Sequence, residues 1–147
     1  MRKNSPDATI PYSFFASLRN GCDMLEEIAR IAAEAGLRHA ALSVIGAVSR
    51  ASFGFYDQEA KKYTHMTRQG GYEVINCTGN ITVKDGSPFV HAHALFGEAD
   101  GSAFGGHLLS PTTVFAAELQ ITELAGPPPE RVFDEKTGLY LWQAQPA

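Results

Sequence analysis

The sequence predicts an α+β fold, a largely antiparallel sheet flanked by one main amphipathic helix. Three observations predict it. Only one segment, residues 23–35, carries a helical stripe. The segments around it alternate, or are uniformly apolar, over strand-like lengths. Fourteen glycines and eight prolines supply the tight turns that antiparallel strands need. At 147 residues, 44% hydrophobic and 19% charged, the chain can bury a core without staples. It reads as a single domain over 1–147, with a core of about 13–124 and a C-terminal hairpin extension over 125–147.

Residues 1–7 are polar and read as a loose tail, and 11–18 (PYSFFASL) as the first strand. The helix follows. Asp23 is its N-cap, with Glu26 three residues on in a capping-box pattern. Leu25, Ile28, Ala29, Ala32 and Ala35 form one apolar stripe, and Gly36 supplies a left-handed stop. That stripe must be buried, and the sheet is its available partner. Residues 39–56 are too long for one flat strand, so Gly46 and Gly54 are expected to mark bends or bulges. A polar turn over 57–60 precedes an exposed strand, 61–67. A further strand begins after Gly70-Gly71, spans 72–77, is interrupted at Gly79-Asn80, and resumes over 81–83.

After the turn at 84–88 comes a hairpin, discussed below, and then a sharp break at Ser110-Pro111. Residues 112–124 alternate, with Phe115, Ala117, Leu119 and Ile121 facing one way and Ala116, Glu118, Gln120 and Thr122 the other. Gly126 and Pro127 to Pro129 form a stiff connection to a closing hairpin, 131–133 with 139–142. Phe14, Phe15, Phe53, Phe55, Phe104 and Phe115 are scattered through these strands and are expected in the core rather than as nucleic-acid stacking platforms.

The stretch 90–109, VHAHALFGEADGSAFGGHLL, carries the chemistry. His91 and His93 share a parity, so in a strand both point to one face. A turn symmetric about Ala99 pairs positions that sum to 198, setting His91 opposite His107 and His93 opposite Gly105. Opposed Cβ atoms lie ~5 Å apart and diagonal ones ~7 Å, within reach of three imidazoles converging on one ion. The same register sends Val90, Ala92, Ala94, Phe96, Phe104 and Leu108 to the other face. Gly105 and Gly106 leave room beside the rings.

Three neutral imidazoles with no cysteine nearby suit Zn²⁺, with Ni²⁺ or Co²⁺ as other divalent candidates. Three protein ligands leave a fourth position open, at which a zinc-bound water has a pKa near about 7. The competing reading makes the histidines satisfied polar groups at a subunit contact or in a second core layer. If Ser110-Pro111 makes a two-residue hairpin, Glu118 falls on the histidine face about 10 Å from the metal, a candidate for supporting the ligands from behind. His39 and His65 have no partner pattern. Glu73 is expected to form a salt bridge, with Arg19 or Arg50 as its cation.

One combination of residues resembles the PPC domain, the plant-and-prokaryote-conserved domain. It comprises Gly71-Tyr72-Glu73-Val74-Ile75, Thr78-Gly79-Asn80-Ile81, His91-x-His93, Asp100-Gly101 and Gly105-Gly106-His107-Leu108. The resemblance runs from about residue 13 to 124. It implies an antiparallel sheet flanked by a helix, assembled as a homotrimer, with a histidine triple similar to a metal site at His91, His93 and His107. Plant relatives carry an AT-hook and act in chromatin, which makes a DNA-binding or transcription-associated module the alternative. No Arg-Gly-Arg-Pro element occurs here, the net charge is −4, and the basic residues are dispersed.

Cys22 and Cys77 show no disulfide or C-x-x-C pattern and read as reduced thiols of a cytoplasmic protein. The N-terminus lacks the apolar core of a signal peptide, and no run is long enough to span a membrane. The expected partners are further copies of the chain and a small molecule at the metal.

Overall fold

The computed structural model describes residues 12–142, so the expected N-terminal tail lies outside the described residues. Along the chain run β1 (Ser13–Leu18), α1 (Met24–Glu34), β2 (Ala40–Asp57), β3 (Lys62–Lys84), β4 (Ser87–Gly97), β5 (Ala103–Glu123), β6 (Arg131–Asp134) and β7 (Leu139–Trp142). The first five strands form one sheet in the order β1-β5-β2-β3-β4, and every ladder in it is antiparallel. The long β5 also pairs with β4, so the ladders β2–β3, β3–β4, β4–β5 and β5–β2 close into a ring. β6 and β7 make a separate hairpin.

α1 is the helix that the stripe predicts. Asp23 caps it, accepting the Glu26 backbone N–H at 3.0 Å, and Gly36 beyond its end takes φ +68°. The Asp23 carboxylate also accepts Ser110 Oγ and the Thr112 backbone N–H, pinning the helix start to β5. With only eleven residues α1 covers part of the sheet, so it is a minor element rather than a main flanking one. Its buried line is Met24, Ile28 and Ala32, with Leu25 and Ala35 only partly covered. Opposite lie Val44, Val48, Phe96, Leu108, Val114, Leu119 and Ile121, all buried. Each such side chain contributes roughly 1.5–3 kcal/mol on leaving water.

Several expected breaks are irregularities inside continuous strands. β3 runs unbroken through Gly70-Gly71 and Gly79-Asn80. Gly70 and Gly71 together oppose Ser49 alone, a bulge that the ladder absorbs. Gly79 stays paired between Leu42 and Ala92, where a Cβ would sit 2.1 Å from the His91 carbonyl oxygen. Gly46 does mark a bulge, whereas Gly54 lies in regular register between His65 and His107.

Ser110-Pro111, a cis peptide, is not a hairpin turn. Leu109 and Thr113 on either side of it both remain paired to β2, with Ser52 and Arg50. Proline offers no N–H there. Thr112 Oγ1 accepts from the Ser52 backbone N–H and donates to the Leu109 carbonyl, so a side chain completes the ladder across the break.

Phe115 corrects the expected alternation. Val114 pairs with Val48 and Ala116 with Ala47, so Phe115 is the extra residue of a bulge. Val114 therefore enters the core before the bulge and Ala117, Leu119 and Ile121 after it, while Phe115 is 63% exposed. Phe15 and Phe55 are exposed as well, so three of the six phenylalanines expected inside face outward. Phe53 is buried, and Phe14 and Phe104 pack against the core from its edge. Arg19 pairs with Glu27 and not with Glu73, which has no ion pair among the described residues.

The closing hairpin forms as expected. The connection before it lies along β3, where the Val83 N–H donates to the Pro129 carbonyl. Arg131 then reaches back to Thr82 and Asn80. No helix among the described residues is long and apolar enough to cross a membrane.

Candidate metal centre

β4 and β5 bring His91, His93 and His107 together. The turn between them is closed by the Glu98 N–H to the Ser102 carbonyl, with Gly101 at φ +86°. Gly97 therefore pairs with Ala103, Phe96 with Phe104, Leu95 with Gly105, and His93 with His107. The ladder is symmetric about Asp100 rather than Ala99, so paired positions sum to 200, two more than expected. Moving the turn centre by one residue slides the register by two and leaves parity untouched. The partner assignments change but the faces do not. Ala92, Ala94, Phe96 and Leu108 are buried on one side while the three imidazoles share the other.

Glycines set the backbone spacing here. A Cβ on Gly105 would lie 2.0 Å from the Ala94 carbonyl oxygen. With Gly79 on the other flank, β4 is approached closely from both sides. The glycine at 105 thus serves backbone contact rather than room for the rings.

The ring centroids lie 5.3 Å (His91–His93), 5.0 Å (His91–His107) and 5.4 Å (His93–His107) apart. One nitrogen from each ring falls within 4.8 Å of the others. A tetrahedral zinc with Zn–N of about 2.0–2.1 Å sets neighbouring nitrogens ~3.4 Å apart, which the rings can reach by closing in by at most about 1.4 Å. His93 is exposed, and the other two are half-buried.

Burial pushes the His91 pKa down to about 4, with Arg131 and His93 adding to the shift. Burial likewise lowers His107 to about 4, helped by His91, His93 and Arg131. Both rings are therefore neutral near pH 7 and present lone pairs. The Nδ1 of His107 is buried without a hydrogen-bond partner among the described residues. An orphaned nitrogen on His107, beside the neutral ring of His91 and within reach of His93, fits a divalent transition ion.

Two surrounding residues carry no local sequence signal. Tyr63 of β3 stacks on His107 at 4.6 Å between centroids. Arg131 of β6, 8% exposed, sets Nη2 3.4 Å from His91 Nδ1. Its guanidinium also donates to Thr82 Oγ1, Asn80 Oδ1 and the Tyr140 carbonyl, each at 3.0 Å. A cleft of about 270 Å³ opens beside the histidines, with Tyr63, Phe89, His91, His107, Arg131 and Tyr140 among its walls.

Glu118 is not in this group. It pairs with Ser17 of β1 and Ile45 of β2, because β5 continues past Ser110-Pro111 instead of folding back. His39 and His65 are also outside the cluster.

A curled antiparallel sheet with three convergent imidazoles on its surface defines a small β-rich protein with a candidate three-histidine metal centre. The chain belongs to the Plants and Prokaryotes Conserved (PCC) domain family, which it matches over residues 7–125. Arg131 lies beyond that stretch.

Among solved structures, a metal-containing protein of Archaeoglobus fulgidus is 42% identical with a TM-score of 0.86, covering 90% of this chain and 94% of its own. A plant- and prokaryote-conserved (PPC) protein of Pyrococcus horikoshii is 33% identical with a TM-score of 0.87, covering 95% and 99%. A candidate DNA-binding protein of Bacteroides thetaiotaomicron is 25% identical with a TM-score of 0.82, covering 89% and 91%. No functionally curated protein matches the chain.

Proposed function

We propose that this chain is a metal-binding PCC-domain protein in which His91, His93 and His107 hold one divalent transition ion, Zn²⁺ first, with a coordination position left open. The observation that carries this reading is the approach of three imidazole nitrogens to within 4.8 Å on one face of β4 and β5. The metal-containing relative from Archaeoglobus fulgidus supports it. When bound, zinc would draw the pKa of a water in the open position toward about 7. The chain's own part is to keep His91 and His107 uncharged and to hold the rings on paired strands.

Assembly as a homotrimer is part of the same reading. It is supported by exposed apolar side chains on the outward face of the sheet. Phe15 sits in the row of Gln120 and Ser43, and Ile45 in the adjoining row of Glu118 and Ser17. These two side chains are 75% and 55% exposed, and large apolar side chains standing in water on a sheet face gain by burial against another copy.

The test is elemental analysis of purified protein. About one zinc per chain is expected in the native sequence and none in the variant with all three histidines changed to alanine. Equal metal in both would overturn the reading.

A second reading, association with DNA, is favoured by the Bacteroides thetaiotaomicron neighbour. The net charge of −4 counts against it.

A further inference from the structure

Resting on the metal reading above, we propose that the cleft beside the histidines binds a small carboxylate with an apolar body, held by the guanidinium of Arg131. Arg131 is a cation nine-tenths buried, yet no carboxylate lies within ion-pair distance of it among the described residues. Its protein acceptors are all uncharged: a threonine hydroxyl, an asparagine amide, a backbone carbonyl and an imidazole. A buried charge without a counter-charge is costly, and a guanidinium is shaped to receive a carboxylate.

Ion uptake makes the need acute. A guanidinium only donates, so in the metal-free protein the Nδ1 of His91 must be the acceptor of the Arg131 N–H. If the ion takes Nδ1, that lone pair is gone. If it takes the other ring nitrogen, the proton there must move to Nδ1, and Arg131 again loses its acceptor. Either way a buried N–H is left facing the cleft beside a divalent cation. A second N–H, on Nη1, has no acceptor in the described chain, since the five donors of the guanidinium meet only four partners.

The cleft matches the remaining requirements. Lys61 and Lys62 stand on its wall, and none of its lining residues is acidic, although the chain as a whole is. Tyr56, Phe89, Leu139 and Leu141 supply apolar surface, and about 270 Å³ admits a small organic acid. The ring faces and leucines suit a hydrocarbon body better than a bare inorganic anion.

Benzoate and its uncharged isostere benzamide are the probes, titrated calorimetrically against zinc-loaded protein whose metal content is measured in the same sample. Benzoate is expected to bind at least tenfold tighter than benzamide. Arg131→Met is expected to weaken benzoate at least tenfold per bound zinc. Equal binding of the two probes, undiminished benzoate binding by Arg131→Met, or tighter binding of inorganic phosphate than of benzoate would each overturn the proposal while leaving the metal reading intact. Absence of bound zinc from the native protein would overturn both. Arg131 also anchors β6, so circular dichroism must show the variant folded. If it is not, the benzoate–benzamide ratio is measured on native protein stripped of metal, where no zinc can take the carboxylate, and equal binding of the two there overturns the proposal.

Discussion

His93 faces His107 directly across the β4–β5 ladder, while His91 pairs with Asn80 on the opposite flank of β4. The histidine cluster is therefore built across two ladders. The same Asn80 accepts from Arg131 at 3.0 Å, so the register of β3 against β4 also positions the guanidinium of the C-terminal hairpin.

The two half-buried imidazoles set a pH dependence. Their pKa values are about 4 in the folded, metal-free protein, against about 6.5 in an unfolded chain. Between those values the unfolded state binds more protons, so stability falls as pH drops from 6.5 to 4 and is insensitive to these groups above 6.5. Thermal melts in the presence of a chelator should show a Tm that declines through that window. His91→Gln with His107→Gln should flatten the decline, and an unchanged slope in the double variant would contradict the assignment.

Glu27 gives a second, more acidic window. Its buried carboxylate lies between Arg30 and Arg19, each donating two hydrogen bonds of 2.6–2.9 Å, which hold its pKa down to about 2 from 4.5. Its contribution is complete above pH 4.5 and lost as pH falls through 2. Glu27→Gln should lower unfolding free energy by about 1–3 kcal/mol at pH 7, measured by urea denaturation. The loss should shrink at pH 2.

Asp23 joins the helix to the strand that carries His107. Asp23→Ala removes the N-cap and the bonds from Ser110 and Thr112, and should cost about 1–3 kcal/mol. Asp23→Asn keeps the cap geometry and should cost less. Equal losses in the two would show that the side-chain bonds are unimportant.

Gly105→Ala should disable the site without touching a histidine. The new methyl group would meet the Ala94 carbonyl oxygen at 2.0 Å, and backbone cannot yield as a flexible side chain can. Loss of stoichiometric zinc, or loss of a cooperative unfolding transition, is the expected result. Full zinc occupancy with native stability would show that β4 and β5 can separate there at little cost.

For the DNA reading, a gel shift at low salt is decisive. A dispersed set of basic residues on a net-negative chain should give no retention of a duplex, whereas a true binder would show affinity falling steeply with added salt.

The sequence by itself determined which side of the histidine hairpin faces inward and where the helix begins and ends. Side-chain parity and capping are local properties, set by neighbours one to four residues away, so the shared face of His91, His93 and His107 survived a two-residue slip in their pairing. Phe115 marks the limit of that logic, because one inserted residue reverses parity and only the partner strand reveals it. Tertiary structure alone decided the rest. Whether glycine or proline ends a strand depends on the ladders alongside, and Gly70, Gly79 and Pro111 all stayed within theirs. Arg131 sits beside His91 across forty positions because the chain after β5 returns along β3. No local pattern encodes such a meeting, since it arises from the packing of whole strands rather than from the preferences of the residues that meet.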